Sequence, residues 1–328
     1  MQYSLRGKVM MCTASAVALA LIAGGWGTCR ALDSPPKFLR VIRPYMLSNP
    51  RLAWLQESSG IPDYMGSVRL SNGRVTAVPE DGHKVIISDP SAQEDVEFPW
   101  GPDWYFHMFR RSRRGNHAVI CLAANIAVTN RFDTDHCRIG IIGRKGEVHW
   151  MPPVPFGRTG QPPRGLAVSD DGRSVALVGC AHANSIQILD VQLGVVSWSK
   201  QPEGESALNA AAFSRDGKTV YAAGTNGWIY GIDVSSKRTV RKWLAGRGNK
   251  PTYGHRATAV EVSPDGSLLA AGTGPHGQVY VWQIQTGDRL FVIHTDVATV
   301  QSLAFSPDSR SLGVSGVAGL GIELWRVR

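Results

Sequence analysis

Short runs of alternating apolar and polar residues recur along the second half of the chain, each closed by a serine. Gly165–Val168 runs into Ser169, residues 211–213 into Ser214, 260–262 into Ser263 and 303–305 into Ser306. A period of two over four to eight residues predicts a half-buried strand. The serines open turns of one type, Ser169-Asp170-Asp171-Gly172, Ser214-Arg215-Asp216-Gly217, Ser263-Pro264-Asp265-Gly266 and Ser306-Pro307-Asp308-Ser309. Ser and Asp bond to nearby backbone in such turns, and Gly takes a positive φ without strain. A second apolar run follows each turn (174–178, 219–223, 268–272, 311–315), and then a third (186–191, 229–234, 279–284, 322–327). Residues 195–198 and 290–293 read as fourth strands, and Asn226-Gly227 suits a tight hairpin.

The serines are 45, 49 and 43 residues apart. That period, with four antiparallel strands per unit, predicts an all-β chain built as a β-propeller. The units resemble WD-repeats, most fully in the third. There Gly254-His255 stands where the family has its Gly-His pair, and Val279-Tyr280-Val281-Trp282 is the third strand. Trp282-Gln283 replaces the family's Trp-Asp, and His276 stands near the turn Asp. Ile322-Glu323-Leu324-Trp325 is the same strand in the last unit. The resemblance covers residues 160–328. Before that, residues 138–143 read as a third strand, 146–150 as a fourth, 118–123 as a second and 109–115 as the preceding turn; residues 66–75 read as a hairpin. At a mean spacing of about 46 the chain after residue 31 gives six to seven blades, and seven is favoured. The last unit stops at its third strand. A segment near residues 38–42 or 52–56 is therefore expected to supply the fourth and close the propeller, since an unpaired edge is a liability.

Arg6 and Lys8 precede an uncharged stretch, 9–23, that ends in small residues. This predicts a secretory signal over residues 1–31, cut after Ala31, with a single propeller domain over 32–328. The alternative is an N-terminal membrane anchor through residues 9–25, although the apolar run is shorter than the about 20 residues a spanning helix needs. Cys29 admits a lipoprotein reading, but Trp26 departs from the aliphatic residue that motif requires. Export to a periplasmic, cell-envelope or extracellular site is expected. Cys121 and Cys137 flank one hairpin-length segment and either pair in an oxidising compartment or pack as small apolar residues.

The formal charge is +9, and the leader holds three of the 35 bases and no acid. The rest is mildly basic, without the stripes of a nucleic-acid binder. Its one basic run, Arg110-Arg111-Ser112-Arg113-Arg114, is expected to be a solvated turn, with grip on an acidic group as the alternative. No nucleophile elbow, His-Glu-x-x-His or phosphate loop occurs. Asp133, Asp135 and His136, near Cys137 and His149, form one dense polar cluster, read as an exposed loop before a metal site. Trp282 and Trp325 are expected between blades, and Trp100 and Trp104 either there or as an exposed anchor.

The resemblance implies a non-enzymatic scaffold that binds an unidentified protein through its face loops, and the charge and motifs above lead to an expectation of no catalytic residue, metal, cofactor or nucleic-acid partner. Loop position selects Arg164, His182, Asn184, Asn209, Trp228, Arg256 and His276 as candidate binding residues. The runner-up is an exported propeller hydrolase, a lactonase or glycan-acting enzyme with its site in the central channel. It requires two carboxylates or a metal-binding group there.

Overall fold

The first strand among the described residues completes the last sheet. In the computed structural model β1 (Lys37–Ile42) pairs antiparallel with the final strand, Lys37 opposite Arg326 and Ile42 opposite Ile322. The structure describes residues 35–42, 67–70, 73–78, 84–88, 96–99, 104–112, 117–124, 136–143, 148–152, 154–155, 163–179, 185–200, 207–246, 256–319 and 321–328. The leader, the alternative closing segment 52–56 and Cys29 lie outside them.

Six antiparallel sheets follow in chain order. Sheet one holds β2 (Ser67–Leu70), β3 (Gly73–Val78), β4 (Lys84–Ser88) and β5 (Val96–Pro99). Sheet two holds β6 (Trp104–Arg111), β7 (Ala118–Ala124) and β8 (His136–Ile142), with β9 (Val148–Trp150) and β10 (Val154–Pro155) sharing the edge of β8. Sheet three is β11 (Gly165–Val168), β12 (Ser174–Val178), β13 (Ile186–Asp190) and β14 (Val195–Lys200). Sheet four is β15 (Leu208–Phe213), β16 (Thr219–Gly224), β17 (Trp228–Asp233) and β18 (Thr239–Leu244). Sheet five is β19 (Arg256–Val262), β20 (Leu268–Gly274), β21 (Gln278–Gln283) and β22 (Arg289–His294). Sheet six is β23 (Thr299–Phe305), β24 (Ser311–Val317) and β25 (Ile322–Arg326), finished by β1.

Among the described residues there are thus six sheets, where the spacing favoured seven. The division assumed one period throughout, but sheet two starts at Trp104 and sheet three only at Gly165, 61 residues later. The split fourth strand of sheet two takes up part of that excess. The first turn of sheet two also lies further on than expected. Strand β6 runs through Arg111, and Ser112 is the turn serine: its N–H donates to the His117 carbonyl and its Oγ accepts the His117 N–H at 3.1 Å.

Burial follows from stacking sheet on sheet. The second strands β12, β16, β20 and β24 are largely buried, β20 at every position, and are made mostly of small and branched apolar residues. Among the described residues four clusters fill the seams. Leu177 and Ile139 meet between sheets two and three, Val178 and Phe213 between three and four, Trp243 and Tyr280 between four and five, and Val279 and Val300 between five and six. Small residues set the spacing, since a Cβ on Gly272 would come 2.2 Å from Val300 Cγ1. Trp282 is buried as expected, and Trp325 is half-buried against Phe38 of β1, ring centroids 5.2 Å apart. Cys121 and Cys137 are buried free thiols, and burial pushes Cys137 well up, helped by its hydrogen bond with Cys121.

The first strands β2, β6, β11, β15, β19 and β23 pack one against the next in that order. Glu261 of β19 nevertheless acts electrostatically on Arg110 of β6, with sheets three and four between their sheets in the row. Burial lowers the Arg110 pKa and Glu261 opposes it.

Candidate functional site

First and third strands start on one face of the molecule, here the leading face, and end on the other, the turn face. On the turn face the sequence builds a fixed hydrogen-bond unit. Ser169 Oγ donates to Asp171 Oδ1 at 2.6 Å and accepts the Ser174 N–H at 3.0 Å; Asp171 Oδ1 also accepts the Arg173 N–H, and Gly172 N–H returns to the Ser169 carbonyl. The same unit recurs at Ser214 with Asp216, Ser263 with Asp265, and Ser306 with Asp308, each with a 2.6 Å Ser–Asp bond. All four carboxylates are held below the ordinary range. At Asp171 and Asp265 burial alone would raise the pKa, and the converging hydrogen bonds outweigh it; at Asp216 and Asp308 the serine bond is the largest cause. Neighbouring units interlock. Arg215 donates to the Asp265 carbonyl, the Asp265 N–H donates to Ser309 Oγ, and Arg328 pairs with Asp265 and Ser267.

The leading face has its own repeat, one the sequence reading missed. Five residues before each turn serine stand His107, Arg164, Asn209, Thr258 and Gln301. Four of these are bulges in their first strands, and Arg164 directly precedes β11. A bulge re-aims its side chain. His107 Nε2 meets the Pro163 carbonyl at 2.7 Å, Asn209 Nδ2 donates to the Ala257 carbonyl at 2.9 Å, and Thr258 Oγ1 donates to the Val300 carbonyl. Each acceptor is the residue six before the next turn serine, so the bonds staple one sheet to its successor at equivalent points. Burial lowers the His107 pKa, favouring a neutral ring whose Nε2–H serves the carbonyl. Counting back from the serines would have found this series.

Two members of the series, Arg164 and Gln301, are exposed and make no such bond. Arg256, the first residue of β19, is exposed as well, and His276 is exposed in the bend between β20 and β21. Trp228 opens β17 half-buried against the cluster between sheets three and four. Arg164, Asn209, Trp228 and Arg256 therefore share the leading face of sheets three to five, with His276 on sheet five. His182 and Asn184 lie outside the described residues, as do Gly254, His255, Asp133, Asp135, Trp100, Arg113 and Arg114. No group of three or more His, Cys, Asp or Glu placed to hold a metal occurs among the described residues. Glu261 is the one acid on a first strand among them. No helix among them is long and apolar enough to cross a membrane.

The fold defines a class, an all-β protein of four-stranded antiparallel sheets packed face to face as propeller blades. Residues 249–283 match the family model for the WD domain, G-beta repeat. The chain is similar to the Periodic tryptophan protein 2 homolog of Dictyostelium discoideum, 26% identical over 144 residues, which are 43% of this chain and 15% of that protein. It thus spans a small part of that curated relative's length. Among solved structures it is similar to the β-propeller domain of Cps50 (Swd1) from Myceliophteria thermophila, at 16% identity and a TM-score of 0.48, covering 64% of this chain and 62% of that one. With four turns of one grammar, the family-model match and the curated relative support a divergent WD-repeat propeller family.

Proposed function

We propose that the chain is an exported, non-enzymatic binding platform whose leading face holds a protein partner. One observation carries the reading. The turn serines and their aspartates are bonded to one another and to backbone, whereas Arg164, Arg256 and Gln301 on the leading face are exposed without an intramolecular bond among the described residues. Exposed groups on loops set by a rigid scaffold are where binding concentrates. WD-repeat propellers are typically protein-interaction scaffolds, which agrees with that division. Export is supported by the basic, apolar and small-residue order of residues 1–31.

Crosslinking and pull-down of the tagged full-length protein from its native cells tests the platform. A reproducible partner set, lost when Arg164, Arg256 and Gln301 are changed together, is expected. Retention of every partner in that triple variant would move the site elsewhere. A mature N-terminus at Leu32, read by N-terminal sequencing, is the outcome expected of a cleaved signal.

A further inference from the structure

We propose that the leading face of sheets three to five takes an acidic peptide segment, gripped by Arg164 and Arg256 with Trp228 beneath an apolar side chain between the carboxylates. This rests on the platform reading above and names the partner's chemistry. The backbone brings the residues into one line. Gly165 lies so close to sheet four that a Cβ would come 2.7 Å from the Ala210 Cα and 2.8 Å from the Asn209 carbonyl oxygen. Asn209 in turn bonds the carbonyl of Ala257, the residue after Arg256. Arg164, Asn209 and Arg256 therefore follow one another on consecutive sheets where the first strands begin. Trp228 and Arg164 flank the same seam. A Cβ on Gly179 would meet the Leu208 carbonyl oxygen at 2.8 Å and the Arg164 Cγ at 3.0 Å, and Trp228 packs on the cluster that contains Leu208 and Val178.

Charge selects the occupant. From Pro163 to His294 every described acid except Glu261 is at the turn end of its sheet: Asp170, Asp171, Asp190, Asp216, Asp233, Asp265 and Asp288. Glu261 itself lies two residues before Ser263, toward that same end, and acts on Arg110. From the start of β11 to the start of β19 the leading face thus presents two guanidiniums and no described carboxylate, while Asp296, in the loop after β22, is an exposed acid on that face of sheet five. Uncommitted guanidiniums present planar donor forks suited to carboxylates. Asn209, fixed by its staple, keeps the two arginines on a rigid frame, which lowers the ordering cost of binding.

Fluorescence anisotropy with a labelled peptide of alternating glutamate and alanine around one phenylalanine tests this on the full chain. Its lysine-for-glutamate counterpart and an oligothymidylate of equal charge serve as controls. The glutamate peptide should bind, weaken with added salt, and lose about tenfold or more in affinity in the Arg164→Glu, Arg256→Glu double variant, a loss of the size expected of charge-assisted bonds. Arg238→Glu, on the turn face, should change it less than about twofold. Equal loss in Arg238→Glu, or oligothymidylate bound as tightly as the peptide, overturns the proposal. A thermal melt matching the native protein excludes unfolding as the cause. If crosslinked partners disappear in the double variant while peptide affinity does not change, the platform stands and the acidic partner fails. If neither responds, both fail.

Discussion

The two faces of the molecule treat their polar groups in opposite ways. On the turn face Ser, Asp and backbone N–H groups satisfy one another four times over, and Arg215 and Arg328 tie the units of sheets four and six to that of sheet five. On the leading face the inward polar groups, His107, Asn209 and Thr258, staple sheet to sheet, and the outward ones are left to solvent. The turn units are closed chemistry and serve stability. The leading face divides the same residue types between stability and binding.

The comparison breaks first at Gly172. Its φ of +71° disfavours any side chain, and a Cβ would come 2.5 Å from His117 Cδ2, on a half-buried ring of the preceding sheet. Gly172→Val should cost about 3 kcal/mol, the sum of left-handed strain and a forced shift of that ring. Urea unfolding measures it, and a loss below about 1 kcal/mol would show that the turn face is looser than its hydrogen bonds imply.

The same contrast decides what the sequence could tell. The turn units are local, with serine, Asp and acceptor within five residues, so their grammar and the strands on either side were readable from Gly165 onward. Ser112 lies within the turn expected over residues 109–115, but Arg114 stands where the other units have Asp and hides its kinship with them, although the Ser-x-x-Gly frame is intact. The leading-face staples join residues 42 to 56 apart, as His107 to Pro163 and Thr258 to Val300. No local pattern announces such a bond, and only the shared offset from the serine betrays it. Loop position did select Arg164, Asn209, Trp228 and Arg256. It did not show that Asn209 is committed to its neighbour while Arg164, at the same offset, is exposed.

Single hydrogen bonds give a finer measure. Ser263 is fully buried, and Ser263→Ala leaves the buried Leu268 N–H without its acceptor, so a loss of about 1–2 kcal/mol is expected. Ser112→Ala should cost a similar amount if Ser112 is the fifth member of the series. Thr258→Val keeps the shape and removes one inter-sheet bond, for about 1 kcal/mol. A staple that costs more than the turn serine would reverse the ranking of the two faces.

Acid separates them by sign. Asp171, Asp216, Asp265 and Asp308 have folded pKa values below their unfolded ones, so their contribution is present above about pH 4 and is lost as pH falls. Glu323, near the leading face, is raised by burial despite accepting the Asp296 N–H and the Trp325 indole N–H. Its folded form binds the proton more readily, so its contribution declines as pH rises through the interval above about 4.3. In unfolding series against pH, Asp265→Asn should lie below the native protein at neutrality and converge on it under acid. Glu323→Gln should differ most on the opposite, higher-pH side. Curves that shift in parallel would remove the electrostatic distinction.

The smallest effect is expected where binding is expected to be largest. Arg164 and Arg256 are exposed and hold no partner among the described residues, so Arg164→Ala and Arg256→Ala remove no intramolecular bond. Each should leave stability within about 0.5 kcal/mol of the native value, the range of substitutions away from packed or bonded features. Asn209→Ala, one sheet from each, frees the Ala257 carbonyl and should cost about 1 kcal/mol. Denaturant midpoints for the three variants under one set of conditions decide the matter. If the arginine variants fall as far as Asn209→Ala, the guanidiniums are structural and are not held in reserve for a partner. If they stay at the native midpoint, neighbouring positions on one face have been assigned opposite tasks, one to the fold and the others to what the fold presents.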